Sequence, residues 1–168
     1  MDNEVYGMTK GQASPTTQPD WCRSKLTPHG TGMRRFQPAA IALAAGASFI
    51  ARGYAGDPNG LTRLLAAAIE HPGFAFVHVL SPCRTFRPEQ QAWKQLVHGC
   101  ELGPAHDAAE AAELIQRDDG LGLGVLFEQK IPVYTAGVTA DAADTLTTNE
   151  RLAAIEAEEF STCHEEHP

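Results

Sequence analysis

Residues 2–17 read DNEVYGMTKGQASPTT, a stretch that combines an amide, two glycines and a run of hydroxyl side chains. The side-chain oxygen of Asn3 suits a hard cation such as Mg²⁺, which takes oxygen ligands in octahedral geometry. Gly7 and Gly11 let the backbone approach a ligand closely, and Lys10 adds a point charge. Four hydroxyls are donors for phosphate oxygens, those of Thr9, Ser14, Thr16 and Thr17. These residue types fit a site for a metal-bound phosphate, although glycine, proline and hydroxyl residues also build ordinary surface loops.

Length and composition bound the class of protein. At 168 residues the chain has room for one domain with a hydrophobic core. Hydrophobic residues make up 43% and charged residues 20%, the balance of an ordinary globular protein. The sequence contains no apolar run of about eighteen residues and no basic stretch followed by an apolar core near its start. We therefore expect no membrane span, no signal peptide and a cytoplasmic location.

The net charge of -8 is distributed unevenly along the chain. Up to Cys100 there are ten Lys and Arg against six Asp and Glu, and from Glu101 onward there are three against fifteen. The basic part suits anionic ligands such as a diphosphate, coenzyme A or an acidic electron carrier. The acidic part is interpreted as a solvated surface and tail. No basic stripe with interleaved aromatic residues is present, which argues against nucleic-acid binding.

Apolar periodicity predicts helices that alternate with strands. The predicted helices span residues 38–46, 61–70, 88–98 and 108–116, with a capped acidic helix at 152–160. The predicted strands span residues 48–53, 74–80 and 121–127, with 128–134 as a candidate hairpin partner of the last. The run 74–80 is almost wholly apolar, which is typical of a strand buried on both faces of a parallel sheet. This order indicates an α/β layered fold with right-handed crossovers.

Cys83 follows the end of the predicted strand 74–80, where ligands bind in such folds. From its position alone it is a nucleophile, a metal thiolate or an inert half-buried thiol, and the last is the commonest case. The four cysteines are widely spaced and form no C-x-x-C pair, so no disulfide framework is expected. Cys22 and His29 have no partners at ligand spacing and are interpreted as structural.

Residues 2–17 closely resemble the second half of the thiamin diphosphate motif in the beta subunit of 2-oxoacid:ferredoxin oxidoreductases, the 2-oxoglutarate and pyruvate group. The resemblance implies that the Asn3 side chain and the Val5 carbonyl bind Mg²⁺. The other cofactor-binding positions that it implies are Tyr6, Gly7 and Thr9 at the diphosphate, and Met8 and Lys10 near the thiazolium and the 2-oxoacid. It identifies no acid–base side chain in this chain.

Residues 79–86, VLSPCRTF, resemble a second signature of the same subunit. The resemblance implies that Cys83 is the fourth ligand of a [4Fe-4S] cluster, a group held by four thiolates. The family's other three cysteines, and a Gly-Asp-Gly motif whose Asp binds Mg²⁺, lie upstream of the thiamin loop and have no counterpart in this sequence. Cys22, Cys100 and Cys163 do not stand in matching contexts.

The resemblance extends from residue 2 to about residue 134. It implies a partial thiamin-diphosphate-binding fold of the α/β class, a parallel sheet sandwiched by helices, over residues 1–135. Residues 136–168 are expected to be an acidic tail with a helix, and His164 and His167 in its frayed end are interpreted as part of that tail rather than as a metal site. The sequence is expected to be the C-terminal part of a beta subunit: a truncated or mis-started reading frame, a split gene or a remnant.

The function that the resemblance implies is oxidative decarboxylation of a 2-oxoacid to acyl-CoA, with 2-oxoglutarate as the favoured substrate. The implied partners are an alpha subunit, ferredoxin, the 2-oxoacid and coenzyme A. The alternative is a non-catalytic remnant or scaffold that keeps the fold without the cofactor. A thiamin diphosphate decarboxylase or synthase without a cluster is a weaker alternative, because the Cys83 signature argues against it. By itself the chain is expected to be inactive and, in a calorimetric titration with Mg²⁺, to bind thiamin diphosphate weakly or not at all.

Overall fold

The computed structural model describes residues 1–100, 104–117 and 120–132. The strands are β1 (Val5–Tyr6), β2 (Gln12–Ala13), β3 (Phe49–Tyr54), β4 (Ala75–Leu80), β5 (His98–Gly99) and β6 (Gly122–Glu128). The helices are α1 (Pro38–Ala44), α2 (Pro58–Glu70), α3 (Trp93–Leu96) and α4 (Ala108–Arg117), with a 3₁₀ helix at Pro88–Ala92. The predicted helix at 152–160, Cys163 and the two tail histidines lie outside the described residues, and the division into 1–135 and 136–168 stays a prediction.

Four strands form the main sheet in the order β4-β3-β6-β5. β3 is parallel to β4 and β5 is parallel to β6, but β6 runs antiparallel to β3. The predicted α/β fold class is confirmed, and the sheet is mixed rather than wholly parallel. The candidate hairpin is not formed in the described part of 128–134, because β6 already has β3 on one side and β5 on the other.

Helices cover both faces of this sheet. Side chains of successive strand residues point to opposite faces, so Ile50 and Gly53 of β3 lie on different sides. Ile50 belongs to the apolar cluster that contains the buried residues of α1 and α4. A Cβ built on Gly53 would come 2.8 Å from Leu61 Cδ1 of α2, so α2 packs closely on the other face. The described residues thus form the predicted sheet flanked by helices.

The observed elements start and end close to the predicted residues, with two differences. The predicted helix 88–98 is a 3₁₀ helix followed by the single turn α3, and it ends because His98 and Gly99 pair with β6. β3, not β4, is the strand buried along its whole length, whereas Ala75–His78 of β4 are half-buried. β4 lies at one edge of the sheet, whereas β3 lies between β4 and β6, which explains the greater exposure of β4. No helix among the described residues is long and apolar enough to cross a membrane.

Candidate cofactor site

The opening loop, residues 2–17, is fixed to the sheet at the carboxyl end of β4. The Asp2 amide donates to the Val79 carbonyl at 2.8 Å, and the Ser81 amide donates to the Asp2 carbonyl at 2.8 Å. Asp2 therefore lies beside Leu80 as a parallel bridge. Ligands of open α/β sheets bind at the carboxyl ends of strands, so the loop starts where such a site is expected. The segment that carries Cys83 leaves β4 at the same end.

β1 and β2 pair as a short antiparallel hairpin within the opening loop. Its turn is closed by the Lys10 amide, which donates to the Gly7 carbonyl at 3.1 Å, and by the Gly11 amide, which donates to the Tyr6 carbonyl at 3.0 Å. Lys10 and Gly11 both have left-handed backbone conformations, with φ of 73° and 89°. The two-glycine turn predicted from the sequence is therefore present.

Five of the predicted cofactor residues line one open cleft of about 500 Å³ together with Gln12: Val5, Tyr6, Gly7, Met8 and Thr9. Met8 is fully exposed and Tyr6 is about half exposed. Asn3 and Lys10 are outside the lining of this cleft. The single proton of the Thr9 hydroxyl is within reach of two acceptors in the loop, the Tyr6 carbonyl and the Gln12 side-chain oxygen.

The Asn3 side chain has an oxygen that fits a Mg²⁺ ligand. Its Oδ1 accepts one hydrogen bond, from the Val5 amide at 3.2 Å. A carboxamide oxygen has two lone pairs, so this contact leaves one for a cation. Together with the tight turn and the open cleft, this arrangement fits a metal-bound diphosphate.

Three hydroxyls predicted as phosphate donors are used inside the loop instead. Thr17 Oγ1 donates to the Glu4 carbonyl at 2.6 Å and accepts from the Ser14 amide at 2.7 Å. Thr16 Oγ1 donates to Asp2 Oδ1 at 2.8 Å, and Ser14 Oγ lies 3.1 Å from Thr16 Oγ1. The hydroxyls of residues 14–17 therefore hold the loop in shape, which the sequence pattern does not distinguish from ligand binding.

Gly11 is required for both its conformation and its lack of a side chain. A Cβ at this position would lie 2.6 Å from Phe86 Cδ1. We expect Gly11→Ala to lower the free energy of unfolding by about 3 kcal/mol, from left-handed strain plus the clash. Gly46→Ala is the matched control, because Gly46 has a φ of 87° and no atom within 4 Å of its Cβ position. Gly46→Ala should lower the free energy of unfolding by about 1 kcal/mol. Equal losses for the two variants, measured by chemical denaturation, would contradict the role of Phe86.

A buried ion pair below the opening loop was not predicted from the sequence. Glu4 is buried and has a φ of 52°, a conformation that is uncommon for a residue with a side chain. Arg87 Nη1 lies 2.9 Å from Glu4 Oε2 and donates to the Glu4 carbonyl at 3.2 Å, and Arg35 Nη1 lies 3.6 Å from Glu4 Oε1. Burial raises the pKa of the Glu4 carboxyl, and the two guanidinium groups oppose that change. The pair ties the loop to the segment after β4.

Arg87 also contacts the irregular segment that follows the opening loop. Its guanidinium carbon lies 4.9 Å from the centroid of the Trp21 ring, a cation–π contact. Its Nε is 2.9 Å from Glu89 Oε1, which also accepts from Trp21 Nε1 at 2.8 Å. Trp21 is buried by these contacts. The neighbouring Cys22 is exposed.

A second polar chain starts at Asp2 and crosses to the middle of the sheet. His78 Nε2 is 3.1 Å from Asp2 Oδ2, and Arg52 Nε donates to His78 Nδ1 at 3.4 Å. This order places the imidazole proton on Nε2, which donates to the carboxylate. Burial alone would raise the pKa of Asp2, but hydrogen bonds from His78, the Glu4 amide and Thr16 hold it below its usual range.

The lowered pKa of Asp2 predicts a loss of stability in acid. An acid whose pKa falls on folding stabilises the fold above its unfolded pKa, here near 3.8, and this contribution is lost as the pH drops through the folded value. At neutral pH we expect Asp2→Asn to lower the unfolding free energy by about 2 kcal/mol. In denaturation curves the difference from the wild type should shrink as the pH falls through the folded-state pKa of Asp2. If the unfolding free energies of the two proteins change with pH in parallel, Asp2 is not the group responsible for the loss of stability in acid.

Cys83 is half-buried, and its amide donates to Gln90 Oε1 at 2.8 Å. Cys100, also half-buried, packs against the cluster formed by α1, α4 and the sheet. The described residues contain no group of three or more His, Cys, Asp or Glu side chains that could hold a metal ion. The described residues contain three cysteines, Cys22, Cys83 and Cys100, and these do not by themselves complete a four-cysteine cluster.

Comparisons with known proteins give consistent results. A family model described as "Thiamine pyrophosphate enzyme, C-terminal TPP binding domain" matches residues 1–79. The chain is 33% identical over 141 residues to 2-oxoacid:ferredoxin oxidoreductase 2, subunit beta, of Aeropyrum pernix, which covers 75% of this chain and 45% of that protein. It is 41% identical over 85 residues to 2-oxoglutarate synthase subunit KorB of Archaeoglobus fulgidus, covering 51% of this chain and 32% of that protein.

A solved structure is similar over nearly the whole chain. It is the 2-oxoglutarate:ferredoxin oxidoreductase from Magnetococcus marinus with 2-oxoglutarate, coenzyme A and succinyl-CoA bound. The TM-score is 0.70 at 32% sequence identity, and the match covers 94% of this chain and 50% of that one. The chain spans about half the length of the first curated relatives it matches, 45% and 51% of them.

Proposed function

Because the chain belongs to the family of 2-oxoacid:ferredoxin oxidoreductase beta subunits, we propose that it is the part of such a subunit that holds Mg²⁺ and thiamin diphosphate. The observation that carries the proposal is the position of the opening loop. Five of its seven predicted cofactor residues, Val5 to Thr9, line one cleft, and its first residue pairs with the carboxyl end of β4. The family model for a thiamin diphosphate domain matches the same residues.

The residues of the opening loop have distinct roles in this proposal. The Asn3 side chain and the Val5 carbonyl hold Mg²⁺, a cation that prefers oxygen ligands. The residues that hold and orient the cofactor are Tyr6, Gly7 and Thr9 at the diphosphate and Met8 and Lys10 toward the thiazolium and the 2-oxoacid. When bound, thiamin diphosphate supplies an electron sink for the loss of CO₂ from a 2-oxoacid. The ion pair of Glu4 with Arg87 keeps the loop in place beneath the cofactor residues.

Cys83 is proposed as one ligand of a [4Fe-4S] cluster in the whole subunit. It follows β4 at the same end as the opening loop, in the VLSPCRTF segment. The other ligands would come from outside the described residues.

The proposed substrate is 2-oxoglutarate, and the proposed product is the corresponding acyl-CoA, with ferredoxin as electron acceptor and an alpha subunit as partner. Relatives of the chain carry the name 2-oxoglutarate synthase or 2-oxoglutarate oxidoreductase. The similar solved enzyme was obtained with 2-oxoglutarate and coenzyme A bound. Other relatives carry only the broader name 2-oxoacid:ferredoxin oxidoreductase, so pyruvate is the comparison substrate.

The test uses the complex that contains this chain in its source cells, purified through an affinity tag on the chain. We expect the complex to contain thiamin diphosphate and to reduce ferredoxin when 2-oxoglutarate and coenzyme A are both present, faster than with pyruvate. Omitting coenzyme A or removing Mg²⁺ with a chelator should abolish the reduction. A complex that assembles but holds no thiamin diphosphate and shows no activity with either 2-oxoacid would favour the non-catalytic scaffold.

A further inference from the structure

Gln90 connects the opening loop to the segment that carries Cys83. Its side-chain amide nitrogen, Nε2, donates to the Asn3 carbonyl at 3.0 Å. Its side-chain oxygen, Oε1, accepts from the Cys83 amide at 2.8 Å. Gln90 is 1% exposed, so neither contact is replaced by water in the folded protein. A single buried carboxamide thus uses its donor on one loop and its acceptor on the other.

The same turn holds the next carbonyl of the opening loop as well. Arg87, three residues before Gln90, donates to the Glu4 carbonyl at 3.2 Å. Two consecutive carbonyls, those of Asn3 and Glu4, are therefore bound by side chains of one short 3₁₀ helix and of Arg87, the residue before it. Arg87 does not contact the Cys83 amide through its side chain in any described hydrogen bond. The Arg87 main-chain amide donates to the Cys83 carbonyl at 2.9 Å, so Arg87 reaches Cys83 through its backbone. Among the described hydrogen bonds, Gln90 joins both loops through its side chain alone.

We propose that Gln90 is a positioning residue that fixes Cys83 relative to the Asn3 loop, so that the two move as one body. The inference rests on the proposed function in one respect, because Asn3 and Cys83 are the residues proposed to bind Mg²⁺ and the cluster. The two hydrogen bonds of Gln90 do not depend on a bound cofactor. Removing a buried hydrogen-bonding side chain leaves the Asn3 carbonyl and the Cys83 amide unsatisfied, which favours opening of both loops.

The experiment compares three variants of the full chain with the wild type. Gln90→Met keeps the length of the side chain and removes its donor and acceptor. Gln91→Met is the matched control, because Gln91 is the same residue type one position later and is exposed. Gln90→Glu is the conservative variant, since a protonated carboxyl keeps one donor and one acceptor.

Two measurements report on the two loops separately. The rate of alkylation of Cys83 by iodoacetamide is measured by peptide mass spectrometry, with Cys22 and Cys100 in the same sample as references. Hydrogen exchange of the peptide that covers residues 2–6 reports on the opening loop. We expect Gln90→Met to accelerate both the alkylation of Cys83 and the exchange of residues 2–6 by about fivefold. Gln91→Met should change neither rate, and Cys22 and Cys100 should react at wild-type rates in every variant.

Lowering the pH provides the rescue test. At about pH 5, protonation of a buried carboxyl is favoured. The hydrogen-exchange rate of residues 2–6 in Gln90→Glu should then be closer to the wild-type rate than the rate in Gln90→Met is. Equal exchange in these two variants would overturn the proposal. So would a change in only one loop for Gln90→Met, or a parallel acceleration of Cys100, which indicates general loss of structure. None of these measurements needs a cofactor. A failure of the proposed function would be seen instead as absence of thiamin diphosphate from the native complex, so the two failures are distinguishable.

Discussion

Replacing Asn3 with Leu is expected to raise the thiamin diphosphate concentration needed for half-saturation of the complex by about 100-fold or more. Loss of an outer-shell partner typically costs 10- to 100-fold in metal affinity, and Asn3 is proposed as a direct ligand. Mg²⁺ requires nearly ideal octahedral coordination and tolerates a missing oxygen poorly. The measurement is 2-oxoglutarate oxidation as a function of thiamin diphosphate at fixed Mg²⁺, and the visible spectrum of the proposed cluster should be unchanged.

The control for this prediction is Asn3→Asp. Asn3 Oδ1 also accepts the Val5 amide at 3.2 Å, so Leu removes a loop contact together with the proposed metal ligand. Asp keeps an oxygen for both and should retain most of the affinity for the cofactor. If Asn3→Leu melts at a lower temperature but keeps the wild-type dependence on thiamin diphosphate, Asn3 is a turn residue and does not bind the metal.

Cys83→Ser is expected to remove or destabilise the [4Fe-4S] cluster that we propose for the complete subunit. A serine oxygen is a poor substitute for a soft thiolate at iron. The expected result is loss of most of the cluster absorbance and of bound iron after reconstitution under anaerobic conditions. Thiamin diphosphate binding should persist, since Cys83 is proposed to bind no part of that cofactor.

Cys100→Ser and Cys163→Ser are the controls for Cys83. Cys100 packs against the apolar cluster, and Cys163 lies outside the described residues. Both variants should retain the cluster absorbance of the wild type. Equal losses in all three variants would mean that the absorbance follows general stability, and Cys83 would lose its assignment as a ligand.

Local patterns in the sequence predict most helices and strands, because each of these elements has a recognisable pattern of residues. The alanine-rich helix α1 starts at a proline, and the apolar spacing of α2 and the aromatic and β-branched run of β4 identify those elements. The direction of β6 could not be predicted, since its pairing with β3 joins residues that are about 75 positions apart, such as Ile50 and Phe127. The burial of β3 rather than β4 depends on strand order, which composition does not report.

The candidate site was predicted only in part, for a related reason. The opening loop and Cys83 lie in continuous segments of distinctive sequence, so their resemblance to a family identifies them. The contacts of Glu4, Arg87 and Gln90 have no local signal in the sequence, because they join residues 83 and 87 positions apart. Gln90 and Gln91 are indistinguishable by type, although one is buried and the other exposed. Long-range pairing of this kind becomes visible only in the folded chain.

The contact between Trp21 and Arg87 gives the protein an optical probe of its own. The sequence contains two tryptophans, and the other, Trp93, lies in a separate apolar cluster with Tyr54 and Leu80. A Trp93→Phe protein would therefore emit from Trp21 alone, a buried indole beside a guanidinium and a carboxylate. Its emission spectrum would change when Arg87 and Glu89 leave the indole. The spectrum would therefore report, in real time and without a label, the loss of the contacts that hold the opening loop.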